Sequence, residues 1–92
     1  MLSSTWQCLV ALNTDLEEVR GELAEVAKAE RSDWLNHYAT STATTDSGRK
    51  RDADLNTLPY WKDRTELEMK IKVKEELRQL LILAIEHGVE II

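Results

Sequence analysis

Ninety-two residues make one domain, close to the size at which a single core is barely self-sufficient. Charged residues are 32% of the chain and glycine plus proline only four, a composition that excludes a loop-rich fold and favours long regular elements. The net charge of −5 argues against a dedicated nucleic-acid binder, and the single cysteine, Cys8, excludes an internal disulfide.

The chain opens with MLSSTWQCLVALN, a short apolar run with no Lys or Arg before it and no small-residue cleavage pattern, which does not read as a signal peptide. No stretch approaches the ~20 apolar residues of a membrane span, so a cytoplasmic protein without a membrane partner is expected. Leu9, Leu12, Leu16, Val19, Leu23 and Val26 then recur at alternating intervals of three and four, the seam of a heptad repeat. Thr14 and Glu17 match a capping box, but the seam runs unbroken across Asn13, which favours one helix from about residue 4. After Val26, Glu30 and Asp33 occupy seam positions and Trp34, Leu35 and Tyr38 take over the apolar face. This reads as a stutter in a helix that continues to about residue 40.

TSTATTDSG is the most loop-like stretch, and residues 41–48 are expected to form a Ser/Thr-rich turn. A short helix at 49–56 can follow. Thr57 as N-cap with Pro59 in the first turn then restarts a long helix over 57–87. Within it TELEMKIKVKEEL is ambiguous, because Leu67, Met69, Ile71 and Val73 alternate with charged residues as a half-buried strand would. A helical face through Met69, Val73, Leu77, Leu80 and Ala84 competes with that reading. Good helix formers and the lack of a second strand to pair with favour the helix. Gly88 supplies its C-terminal stop, leaving 88–92 as an apolar tail.

The expected fold is therefore all-α: a single domain, 1–92, built on a long antiparallel helical hairpin of about 4–40 and 57–87. With the turn near residue 46, facing positions sum to about 94. Leu23 then meets Ile71, Leu16 meets Leu77, Leu9 meets Ile85, and Trp34 meets Tyr60 and Trp61. The same register sets Lys70, Lys72 and Lys74 beside Glu18, Glu22 and Glu25. Residues 1–46 carry eight acids against three bases, whereas 47–92 carry nine of each, so charge agrees with that pairing.

A two-helix hairpin buries one stripe of each helix, yet LRQLLILAIEHGVEII is apolar nearly all round. Leu77, Leu81, Ile82, Ile85, Val89 and Ile91 are the candidate protein interface. A second copy is the first choice of cover, giving a dimeric four-helix bundle, and a different protein the next. Packing of residues 1–13 across that end would instead complete a monomer.

No constellation for catalysis, cofactor or metal emerges. His37 and His87 lie fifty positions apart without ligand-spaced neighbours, and Cys8, between Trp6 and Leu9, reads as a small buried hydrophobe. The remaining candidate is the basic tip, Arg49, Lys50 and Arg51, near Tyr60 and Trp61. It could meet a phosphate backbone or an acidic partner, and solvating the turn is the simpler role.

An acidic first helix (LEEVRGELAEVAKAERSDWLNHYA), a polar turn with a basic start (DSGRKRDADLNT) and a second charged helix (ELEMKIKVKEELRQLLILAIEHG) follow one another over residues 16–88. In order and size the chain resembles the small helical accessory proteins that phages encode, with Pro59 interrupting the second arm. The resemblance implies a phage accessory protein acting inside a bacterial host. The excess apolar surface of residues 77–92 adds the expectation that it self-associates and binds a host or phage protein without enzymatic activity. A nucleic-acid accessory role and a structural part of a virion are the alternatives. Those proteins share no common activity, so it assigns no functional residues.

Overall fold

Ser3 begins the first helix: its hydroxyl accepts the backbone N–H of Trp6 at 3.2 Å, capping one of the free donors that every helix start leaves. The computed structural model describes residues 3–89, and among them the chain forms three helices and no strand. They are α1 (Ser4–Thr40), α2 (Asp46–Asn56) and α3 (Leu58–Glu86). The Cα radius of gyration is 19.9 Å and the extents are 64 × 18 × 16 Å. A compact domain of this length would have a radius near ~12 Å. The molecule is a rod, α1 packed antiparallel against α3, with α2 laid across the turn end.

The hairpin is an antiparallel coiled coil. On α1 the positions facing α3 run Thr5, Leu9, Leu12, Leu16, Val19, Leu23, Val26, Glu30, Asp33 and His37, in alternating steps of four and three, and all are buried or half-buried. The expected stutter after Val26 does not occur. Glu30 and Asp33 stay on the seam because polar partners reach them from α3: the Arg64 guanidinium lies 3.5 Å from Glu30, and the Tyr60 hydroxyl donates to Asp33 at 2.6 Å. Leu35, expected on the apolar face, is instead exposed.

On α3 the matching row is Tyr60, Arg64, Leu67, Ile71, Lys74, Arg78, Leu81 and Ile85. The alternating run is helical throughout, and the helix resolves its ambiguity by sending Leu67 and Ile71 inward and Met69 and Val73 outward. Of the helical face read from the sequence through Met69, Val73, Leu77, Leu80 and Ala84, only Ala84 is buried. The other four point outward, Leu77 among them, although the expected register sets it against Leu16. Arg20 with Glu75 at 2.7 Å, Lys74 with Asp15 at 3.6 Å and Arg78 with Asn13 at 2.7 Å hold the register, which stays within about a turn and a half of the expected one. The charge pairing thus runs in both directions, and α3 contributes an acid as well as bases. These pairs are largely exposed, so each adds at most about 1 kcal/mol and selects alignment more than it stabilises.

The tightest packing lies toward the open end, where Leu9, Leu12 and Leu81 form a buried cluster with Cys8, Ile82 and Ile85 against it. Leu16, 1% exposed, is the most enclosed large side chain. α3 ends as expected at Gly88, whose φ of 67° is open to glycine at little cost. The Val89 N–H then returns to the Ala84 carbonyl and the Gly88 N–H to that of Ile85, the Schellman closure.

The turn is shorter than the expected 41–48. Thr45 accepts the Gly48 N–H and Asp46 sits in the positive first turn, so α2 begins three residues before the expected residue 49. Gly48 is required there, since a Cβ would lie 2.9 Å from that of Ala43. Thr57 alone separates α2 from α3. It stands at the expected N-cap position, but its hydroxyl donates back to the Ala53 carbonyl at 2.9 Å, and Pro59 occupies the first turn of α3.

Candidate interaction surface

The outer face of α3 carries Met69, Val73, Leu77 and Leu80 at steps of four, four and three, with Leu83 beside them; each is between 41% and 57% exposed. At about 100° per residue the row is centred roughly 130° around the helix from the seam, so no turn of the hairpin covers it. Lys72 and Glu76, both exposed, flank it on one side, and Glu66 and Lys70 on the other. A continuous apolar row with charged margins is the surface pattern of a helix that meets another helix.

The interface residues anticipated from the sequence divide between two environments. Leu77 belongs to the exposed row. Leu81, at 2% exposure, is sealed in the hairpin's own core, where Leu9 and Leu12 of α1 cover it, and Ile82 and Ile85 pack half-buried on the same cluster. The first turns of α1 reach far enough along α3 to enclose Leu81 and to cover Ile82 and Ile85 in part. Val89 is exposed and lines a small cleft at the open end with Thr5, Trp6 and Ile85. Ile91 lies outside the described residues. Met69, Val73, Leu80 and Leu83 complete the surface, and their signal in the sequence is a second apolar row at helical spacing within one segment.

At the turn, the three bases are unequally available. Arg49 is half-buried and its Nε donates to the Ala43 carbonyl at 3.2 Å, joining α2 to the connection before it. The Lys50 ammonium lies 3.1 Å from Asp46, and Arg51 is exposed. Asp46 also accepts the Tyr38 hydroxyl, Asp52 accepts that of Ser41, and Asp54 accepts the Trp34 indole N–H at 2.7 Å. The tip is thus a mixed polar clasp. The hydrogen bond from Tyr38, then that from Lys50, holds the Asp46 carboxyl below its ordinary range; the same carboxylate raises the Tyr38 phenol and the Lys50 ammonium. The hydrogen bond to Asp33 likewise raises Tyr60. Trp34 stacks on Tyr38 at 5.5 Å and bonds to α2 rather than meeting Trp61, which is exposed.

An open cleft of about 500 Å³ crosses the middle of the hairpin, where Gly21 leaves room above Val26 and Leu67, rimmed by Glu22, Glu25, Asp63, Glu66 and Lys70. Among the described residues no three His, Cys, Asp or Glu are grouped to hold a metal ion, and no helix is long and apolar enough to cross a membrane. His37 is a half-buried seam residue, and His87 closes α3. Cys8 packs half-buried on the Leu9–Leu12–Leu81 cluster. No family model, no curated protein and no solved structure matches the chain.

Proposed function

We propose that this chain is a non-enzymatic interaction module that self-associates through the outer face of α3 and in that form engages a further protein. A phage or mobile-element accessory factor in the cytoplasm of a bacterial host is the setting its helical order and composition favour. The observation that carries the reading is the exposed row Met69, Val73, Leu77 and Leu80 on a helix whose opposite face is already closed. Apolar surface removed from water contributes about 25 cal/mol per Å², so an uncovered row of this length favours association. With Arg49 and Lys50 engaged inside the chain and a net charge of −5, phosphate binding is the weaker use of the molecule.

Sedimentation equilibrium tests the self-association. The expected result is twice the 10.6 kDa chain mass, reverting to the single mass with unchanged helicity in Val73→Glu with Leu77→Glu. A wild-type protein that stays at the single mass at hundreds of micromolar overturns the proposal.

A further inference from the structure

We infer that the second copy lies antiparallel on this face, with the twofold axis passing close to residues 74 and 75 of α3. The inference rests on the self-association just proposed and adds its orientation and register. In an antiparallel pair of identical helices, residues face one another when their numbers sum to a constant. A sum near 150 sets Met69 against Leu80 of the second copy and Val73 against Leu77, so the apolar row covers itself from end to end. The same placement brings Lys72 beside Glu76 of the second copy, twice by symmetry, because like margins of two antiparallel helices meet. A parallel pair would match the apolar residues equally well. It would, however, bring opposite margins together and so set Lys72 of each copy beside Lys70 of the other. Charge therefore decides the orientation: two attractive Lys72–Glu76 pairs in the antiparallel order against two like-charge Lys72–Lys70 contacts in the parallel one. The assembly places the two α3 helices at the centre and the two α1 helices outside, a four-helix arrangement in which the acidic α1 surfaces stay apart.

Disulfide trapping in a Cys8→Ser background tests the register. About the stated axis, the two copies of residue 73 are offset by only about 5 Å along the helices, and those of residue 69 by about 16 Å. A disulfide needs Cα atoms within about 7 Å. Under mild oxidation Val73→Cys is expected to cross-link at least tenfold faster than Met69→Cys. Equal rates at the two positions indicate a parallel pair and overturn the inference. Absence of cross-linking in both, with sedimentation still at twice the chain mass, assigns association to another face and also overturns it. A single chain mass for the wild type fails the self-association itself, which the same sedimentation run reveals. Charge exchange supplies a second measurement that leaves Cys8 in place. Lys72→Glu and Glu76→Lys are each expected to weaken association roughly tenfold, and the double exchange to restore it. Singles that leave the dissociation constant unchanged contradict the antiparallel order.

Discussion

The two ends of the hairpin keep one seam but fill it with opposite chemistry. Near the open end, Leu9, Leu12, Leu16 and Leu81 exclude water by packing alone. At the turn end, Glu30, Asp33 and His37 hold the same row of α1. The rod is closed there by directional bonds from Arg64, Tyr60 and α2. Heptad geometry thus tolerates either filling, provided each polar seam group finds a partner; no buried side-chain nitrogen or oxygen among the described residues lacks one. The ends should therefore respond to different insults, the apolar end to lost volume and the turn end to lost fit or charge.

The largest expected effect is at the apolar end. Leu16→Ala should cost about 2–5 kcal/mol in urea unfolding, because a fully enclosed leucine leaves a cavity. Leu35→Ala, near the turn on an exposed face of α1, should change stability by less than about 0.5 kcal/mol. Similar losses at the two positions would erase the contrast.

A middle-sized effect concerns fit at the turn. Gly48→Ala forces a methyl to 2.9 Å from the Ala43 Cβ and should cost about 1–3 kcal/mol. Gly21→Ala, where nothing lies within 4 Å, should instead stabilise α1 by about 0.5–1 kcal/mol. Thermal midpoints of the two variants should move in opposite directions.

The smallest effect is the pH response of the clasp. The Asp46 carboxyl is depressed by Tyr38 and then Lys50, so its contribution is present above about pH 4 and is lost as pH falls through its lower folded-state value. Tyr38 is raised by Asp46, so its share is present below about pH 10 and is lost as pH climbs through the raised value. The difference in urea midpoint between wild type and Asp46→Asn should therefore narrow at both extremes. A difference that stays constant from pH 2 to pH 7 would exclude this pair as a stabilising contact.

Much of this arrangement is legible in the residues. The α1 range, the restart at Thr57 and Pro59, and the stop at Gly88 follow from local backbone chemistry, which neighbours several residues away suffice to determine. The seam as far as Val26 is equally plain, because apolar spacing alone marks it. Beyond Val26 apolar spacing is the wrong guide. Glu30 and Asp33 are seam residues only by virtue of Arg64 and Tyr60, about thirty positions away, and their polarity reads locally as a slip. α3 poses a different difficulty. Leu67, Ile71, Leu81 and Ile85 form one helical row and Met69, Val73, Leu77 and Leu80 another. Spacing cannot say which faces α1. That is settled by cross-helix contacts such as Lys74–Asp15 and Arg78–Asn13. The same duplication explains why the anticipated interface joined Leu77 to Leu81, one residue from each row.

Leu77 and Leu81 therefore give the most direct test of an α3 whose inner face closes the chain and whose outer face meets a second copy. The measurement is the urea midpoint as a function of protein concentration for Leu77→Ser and Leu81→Ser. Association with a second copy makes the wild-type midpoint rise with concentration by mass action. Leu77→Ser is expected to abolish that rise and leave the dilute midpoint near that of wild type. Leu81→Ser is expected to lower the midpoint at every concentration. The reverse assignment, or identical behaviour of the two variants, would contradict the division of α3 into an inner and an outer face.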